Sequence, residues 1–262
     1  MKFIYKFFIF YCFITILLSP IVLADDLSPV EDDFNVNEFM HDSNLQTNSA
    51  NDFPTINSRA YIVLDRKSNT VILGKNHNQR KKMASTTKIM TSLVVIENCN
   101  LSDTVEISKK AGGTGGSRLG LKTGDKITVN DLLYGLMLCS GNDAAVALAE
   151  HVAGSINNFS ELMNNKALEL GLTNTHFITP HGLDADEHYT TAYELAILSN
   201  YALKNETFAK IVGTKEYTIT INNNVKTIRN TNELLGNLNG VYGIKTGFTN
   251  GANRCLVTAC KR

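Results

Sequence analysis

Three short groups of residues in this sequence could do chemistry. Ser85 stands three residues before Lys88 in MASTTKIMTS. If that stretch is helical, hydroxyl and amine lie one turn apart on one face, where an amine can take the serine proton and make the oxygen a nucleophile. Ser140-Gly141-Asn142 interrupts NDLLYGLMLCSGNDAAVALAEHVAG. A break between two helices can project a hydroxyl and an amide to one side, with Gly141 supplying the permissive backbone. The competing reading is an ordinary helix junction in which Asn142 caps DAAVALAE. Lys-Thr-Gly occurs twice. Lys122-Thr123-Gly124 runs into Asp125-Lys126 and reads as a polar turn. Lys245-Thr246-Gly247 follows Tyr242 and Ile244 on an apolar strand, a rigid edge that can present a cation and a hydroxyl. The second copy is therefore the candidate. A serine three before a lysine is expected about once by chance in a chain of this length, so the pair has meaning only in company.

Other chemistries fail on spacing. In AGGTGGSRLGLKTGD, Leu121 intrudes between Gly120 and Lys122-Thr123, so the phosphate-loop pattern GxxxxGK[ST] misses by one insertion. There is no CxxC and no HExxH. His176, His181 and His188 sit in a polar connecting segment without ligand spacing on a helix, so they read as structural or surface residues rather than metal ligands.

The elements that must position the three groups follow from hydrophobic periodicity. AYIVLD and TVILG flank RKSN and read as a hairpin, and a helix opens at Ser85 and continues through Ile89, Met90, Leu93, Val94 and Ile96. Residues 101–129 hold short polar and Gly-rich pieces, and two helices then meet at Ser140-Gly141. Helical patterns follow at 156–170 and 191–204. TKEYTITINNNVKTIRN has two alternating segments around an Asn turn, and VYGIKTGF and RCLVTACKR close the sequence as strands. Strands at both ends and helices between predict an α/β fold, a sheet built from both chain ends with a helical insertion between its halves.

Composition bounds the rest. With 262 residues and 43% hydrophobic content the chain is globular in type. Residues 1–24, MKFIYKFFIFYCFITILLSPIVLA, read as an export signal, with Lys2 and Lys6 before a short apolar run broken by Pro20; a retained membrane anchor is the alternative. Residues 25–53 contain eight of the 25 acidic residues and no Lys or Arg, and read as a solvated, disordered tether. With two of the 25 basic residues in the signal, the globular part, residues 54–262, carries about +6, a sign that suits an anionic partner. Its Lys and Arg are scattered, without a basic helix or an aromatic-interleaved basic stretch, which argues against nucleic acid. Cys99, Cys139, Cys255 and Cys260 would remain after export. They allow three full pairings and none is indicated, but Cys255 and Cys260 face opposite ways on a strand and should not bridge each other.

Taken in order, SxxK, SxN and KTG resemble the motif set of the penicillin-binding and serine β-lactamase superfamily. GSRLGLKTGD, LLYGLMLCSGNDAAVALAEHVAG, MNNKALELGLTNTHFITPHGLD, HYTTAYELA and NGVYGIKTGFTNGANRCLVTACKR are more specifically similar to the exported low-molecular-mass serine D-Ala-D-Ala carboxypeptidases, over roughly residues 58–262. The resemblance implies an antiparallel sheet flanked by helices with an inserted helical subdomain, and hydrolysis of peptidoglycan stem peptides ending in D-Ala-D-Ala outside the cytoplasm. It implies Ser85 as nucleophile, Lys88 as its base, Ser140 as proton relay and Asn142 as a holder of Lys88 and the substrate amide. Lys245 and Thr246 would receive the terminal carboxylate. The backbone N–H groups of Ser85 and Phe248, beside Gly247, would form the oxyanion hole, with Arg229 near the site. No cofactor or metal is implied, and β-lactams are expected to acylate Ser85. A serine β-lactamase is the alternative enzyme, weakened because Glu161 does not stand where class A enzymes place their deacylating glutamate. A non-catalytic wall-binding or β-lactam-sensing protein is the alternative from another class. The family resembled continues beyond RCLVTACKR into a further strand, a closing helix and usually a β-rich domain with a membrane-binding tail. On that comparison residues 54–262 are expected to be an incomplete domain, lacking the last sheet strand and closing helix, with membrane-surface attachment only through the missing parts.

Overall fold

The computed structural model of the chain describes residues 55–261. The export signal read at 1–24 and the acidic tether read at 25–53 lie outside the described residues.

Strands β1 (Tyr61–Leu64) and β2 (Val71–Lys75) pair antiparallel, as the two apolar runs flanking RKSN predict. The turn between them is closed by Asp65, whose carboxylate accepts from the Ser68 N–H at 2.8 Å. A single 3-10 turn, Ala84–Thr87, leads into α1 (Lys88–Asn98). Residues Lys88 through Val95 are all buried, polar Lys88, Thr91 and Ser92 among them, so this helix lies inside the helical layer rather than on its surface. Around it pack α3 (Val129–Leu138), α4 (Asn142–Ala153), α5 (Ile156–Glu169), α6 (Ala192–Ala202) and α7 (Glu206–Val212). The core forms where Ile89, Met90, Leu93 and Val94 meet Leu132, Leu136, Ala145, Leu148, Phe159 and Phe208. Side chains set the helix starts: Thr128, Ser155, Thr191 and Asn205 each accept a backbone N–H from the first turn. Helix α4 ends at Gly154 in the left-handed conformation (φ 73°).

The Gly-rich region contains more structure than its composition suggests. β3 (Thr104–Glu106) pairs with β4 (Lys126–Thr128), and α2 (Lys109–Gly112) is one turn long. β5 (Glu216–Ile221) and β6 (Asn224–Arg229) form a hairpin whose two-residue turn, Asn222-Asn223, has both residues at positive φ (49° and 68°). That geometry matches strand twist, and asparagine tolerates it better than most residues with a Cβ. β7 (Val241–Gly247) pairs with β8 (Cys255–Cys260).

The described strands form four separate two-stranded antiparallel ladders rather than one continuous sheet, and β1 is not hydrogen-bonded to β8, in line with the expectation that the two do not pair directly. The first and last hairpins are linked by side chains instead. Arg66, after β1, donates to the Asn200 side chain at 2.9 Å and contacts the Tyr242 hydroxyl of β7, and the Arg59 guanidinium donates to the Ala252 carbonyl at 2.8 Å. Among the described residues, Cys99, Cys139, Cys255 and Cys260 are free thiols.

Candidate active site

Ser85 lies in the 3-10 turn and is 8% exposed. Its helical neighbour Lys88 is fully buried, and the Lys88 Nζ donates to Ser85 Oγ, to Asn142 Oδ1 and to the His181 carbonyl, each at 2.8 Å. The one-turn spacing therefore does bring hydroxyl and amine together, and two further acceptors come from segments 54 and 93 residues away in sequence.

Asn142 opens α4, but it is not that helix's cap. Gly141 occupies the cap position, and the Asn142 side chain points into the site, donating from Nδ2 to the Gly115 carbonyl at 2.8 Å while Oδ1 faces Lys88. The permissive residue of the break is also not the expected one. Ser140, not Gly141, takes the left-handed backbone (φ 59°), whereas Gly141 is at φ −57° and is small because a Cβ would crowd Asp143 Oδ1 and Leu119. The Ser140 hydroxyl is fully buried and has no hydrogen-bond partner. An uncommitted buried hydroxyl on a sparsely populated backbone calls for an explanation, and function is where such costs are usually found.

The Gly-rich stretch is the seat of Asn142. Gly115 and Ser117 accept from its side-chain and backbone amides, and a Cβ on Gly116 (φ 78°) would strike its Nδ2 at 2.6 Å. Asp143, next in α4, is buried and holds the same stretch down through the Leu119, Gly120 and Leu121 N–H groups. Glycine clustering was the sequence signal for this seat. Nothing in the local pattern distinguished Asp143 from an ordinary first-turn acid.

β7 brings the second Lys-Thr-Gly to the serine turn. A Cβ on Gly247 would lie 2.9 Å from the Ser85 backbone nitrogen and 3.2 Å from Ala84 Cβ, so only glycine lets the strand come this close. Lys245 and Thr246 are buried, and Lys245 Nζ donates to the Thr246 carbonyl at 3.0 Å. Phe248 follows, half-buried, where the strand ends. Burial pushes the thiol of Cys139, beside Ser140, above its ordinary value, against the opposing pull of Lys226 and Lys245. Lys122, in the other copy, is exposed in a turn closed by Asp125.

Arg229 is not brought to this cluster. Alternation along β6 turns Ile228 inward and Arg229 outward, and its guanidinium, 82% exposed, pairs with Glu216 across the hairpin at 2.7 Å. The residue of this segment that does reach the site is Thr231. Its hydroxyl meets Thr246 Oγ1 at 2.8 Å, and its N–H is tied to the Leu138 carbonyl just before Ser140.

The segment read as a polar connection carrying three histidines closes the other side. Pro180 accepts from Thr91 Oγ1, His181 from Lys88, and a Cβ on Gly182 (φ 88°) would fall 1.9 Å from the Ala84 carbonyl oxygen. Asp184 reaches the loop after β7, accepting from Thr249 Oγ1 and the Gly251 N–H, both at 2.8 Å. Burial lowers His181 to about 3 and His188 to about 4, the first further depressed by the charge of Lys88 and the second by that of His176. Both rings are therefore neutral at neutral pH.

A nucleophile, an amine, an uncommitted hydroxyl, an oriented amide and a buried cation within one cluster can carry out acyl transfer. Residues 46–262 match the family Peptidase_S11, D-alanyl-D-alanine carboxypeptidase. The chain is 40% identical over 211 residues to the D-alanyl-D-alanine carboxypeptidase DacF of Bacillus subtilis, covering 78% of this chain and 54% of that protein. It is 41% identical over 217 residues to DacC of Escherichia coli, covering 79% and 54% respectively. It thus spans about half the length of these two relatives. Among solved structures, the Streptomyces K15 DD-transpeptidase superposes with a TM-score of 0.74 at 38% identity, covering 80% of this chain and 87% of that one.

Proposed function

The chain belongs to the D-alanyl-D-alanine carboxypeptidase family Peptidase_S11, and on that premise we propose that it removes the terminal D-alanine from peptidoglycan stem peptides through an acyl-enzyme on Ser85. The observation that carries this reading is the set of contacts at Lys88 Nζ. As an ammonium, Lys88 donates to all three acceptors; when it gives up a proton, Asn142 Oδ1 and the His181 carbonyl, which can only accept, keep its two remaining N–H groups, and its lone pair is left for the Ser85 O–H. That arrangement is a general base aimed at a nucleophile.

In the reaction, Ser85 Oγ attacks the carbonyl of the penultimate D-alanine while its proton passes to Lys88. The oxyanion is received by the backbone N–H groups of Ser85 and Phe248, where Gly247 lets the strand approach. The Ser140 hydroxyl, free of protein partners, gives its proton to the departing amine nitrogen and is reprotonated from Lys88, so that free D-alanine leaves and Lys88 is neutral again. Water, deprotonated by Lys88, then attacks the ester, and the proton returns from Lys88 to Ser85 Oγ as the acyl group is released. Lys245 and Thr246 receive the substrate carboxylate, and Thr231 orients the Thr246 hydroxyl. Buried Lys245 suits an anionic substrate terminus, and β-lactams, which present a similar carboxylate and amide, would be trapped on Ser85. The peptidoglycan substrate places the activity outside the cytoplasm. Among the described residues, no helix is long and apolar enough to cross a membrane.

The test is incubation with a tripeptide ending in D-Ala-D-Ala while free D-alanine is measured. Turnover that disappears in Ser85→Ala, together with covalent labelling by a fluorescent penicillin, is the expected result. Labelling that survives this substitution would move the nucleophile elsewhere.

A further inference from the structure

We propose that His188 is a positioning residue for this reaction: acting through Thr87, it fixes the Ala84–Ser85 peptide group so that the Ser85 N–H faces the acyl oxygen. The inference rests on the reading of Ser85 as nucleophile given above, and adds a residue 103 positions further along the chain to what sets its geometry.

The direction of the hydrogen bonds can be read without ambiguity. His188 Nδ1 accepts from the Ile178 backbone N–H at 2.9 Å, so the ring of the neutral imidazole carries its proton on Nε2. Nε2 is 2.8 Å from Thr87 Oγ1 and must be the donor there. The Thr87 hydroxyl then gives its own proton to the Ala84 carbonyl, also at 2.8 Å. Histidine, threonine and carbonyl form a one-way chain that ends on Ala84.

What makes that end point matter is covalent geometry. The Ala84 carbonyl and the Ser85 N–H belong to one planar trans peptide group and point in opposite directions, so whatever anchors the oxygen aims the hydrogen. The anchor is needed because Ala84 sits at φ 48°, a region sparsely populated by residues that have a Cβ. A second restraint comes from the same loop, where the Gly182 backbone packs directly against the Ala84 oxygen. A hydrogen bond accepted by a carbonyl also polarises its peptide group, which strengthens the N–H on the other side as a donor to a developing oxyanion.

The surroundings keep the chain oriented. His188 is 2% exposed, and Phe177 meets the ring edge-on at 6.0 Å. The charges that act on it are those of His176, which disfavours a second proton, and Asp184, which favours one, with His181 and Lys88 on the adjoining stretch. Burial dominates and holds the ring neutral. A second proton, on Nδ1, would set an N–H against the Ile178 N–H and break the chain at its first link.

The experiment compares Thr87→Val, which keeps the shape and removes the hydroxyl, with Thr87→Ser, which keeps the hydroxyl, in the full chain. Acylation by fluorescent penicillin is measured as a rate constant and, separately, as non-covalent affinity, alongside kcat and KM for D-alanine release. Thr87→Val is expected to lower the acylation rate and kcat at least about tenfold, with affinity and KM within about twofold, because only the transition state uses the aimed N–H. Thr87→Ser recovers most of the rate. In the same way His188→Gln, whose amide can still donate to Thr87, retains more rate than His188→Leu. A folded Thr87→Val protein with wild-type acylation, or a loss that Thr87→Ser does not recover, overturns the proposal. If Thr87→Val does not fold, equal rates for His188→Gln and His188→Leu overturn it. A wild-type chain that neither takes penicillin nor releases D-alanine would sink the proposed function and this inference together, whereas an active wild type with an equally active Thr87→Val sinks this inference alone.

Discussion

Replacing Asp143 by asparagine changes one oxygen to an amino group and should still be severe. The carboxylate is fully buried. Oδ1 accepts from the Leu119 N–H at 2.8 Å and the Ala144 N–H at 2.9 Å, and Oδ2 accepts from the Gly120 and Leu121 N–H groups at 2.8 and 3.0 Å. Whichever way the asparagine amide turns, its NH2 meets two backbone donors and can accept from neither. Two hydrogen bonds to a charged group are lost, each worth about 1.5–3 kcal/mol, so the cost is about 3–6 kcal/mol. Against a typical domain stability of about 5–15 kcal/mol that is a large fraction, and for a chain of this size it corresponds to a fall in Tm of about 10 °C or more. The damage is not confined to stability. The stretch released carries Gly115 and Ser117, which hold Asn142, and Asn142 holds Lys88. Urea unfolding and penicillin acylation measured on Asp143→Asn should therefore fall together. A variant within about 1 kcal/mol of wild type would show that the loop is held by something other than this carboxylate.

Lys245→Ala is expected to reduce D-alanine release by orders of magnitude, as expected when preorganised charge is removed, while Lys122→Ala stays within about twofold. The reverse pattern would assign the wrong Lys-Thr-Gly to the site. Gly182→Ala places a methyl group where the Ala84 oxygen already is, and should abolish penicillin acylation and lower Tm; full activity would mean that the loop moves aside freely. Stability should also depend on acid. His181 and His188 titrate at about 3 and 4 in the folded protein, against about 6.5 in an unfolded chain, so between these values the unfolded state binds more protons. Their contribution is fully present above about pH 6.5 and is lost as pH falls through the window down to about 4 for His188 and about 3 for His181, by roughly 2 kcal/mol per histidine at pH 5. Equal urea-unfolding free energies at pH 7 and pH 5 would refute this, and His188→Gln should halve the slope.

Much of the molecule was legible without coordinates because its signals are local. Apolar runs marked the members of the β1–β2 and β7–β8 hairpins, alternation marked β5 and β6, and the asparagine pair between β5 and β6 marked a turn that needs positive φ. The one-turn spacing of Ser85 and Lys88 sufficed to place amine beside hydroxyl, and the strand setting of Lys245 separated it from Lys122. The short helix Glu206–Val212 went unread, too brief for its periodicity to stand out beside the longer pattern before it.

Only the tertiary structure decided which side chains face the site. Arg229 and Thr231 lie two residues apart, yet one pairs with Glu216 in solvent and the other meets Thr246, because β6 ends at Arg229 and the chain leaves the strand beyond it, with the Thr231 N–H tied to the Leu138 carbonyl. Asn142 could have capped its helix, and it serves Lys88 because a Gly-rich loop from elsewhere supplies the acceptor for its other end. His181 and His188 read as structural or surface residues of a connection, and they are structural, buried against the nucleophile turn because that connection folds back over helix α1. In each case the deciding contact joins residues far apart in sequence. Periodicity and spacing report which face of an element is apolar, but which neighbour fills that face is set by how the whole chain closes around Lys88.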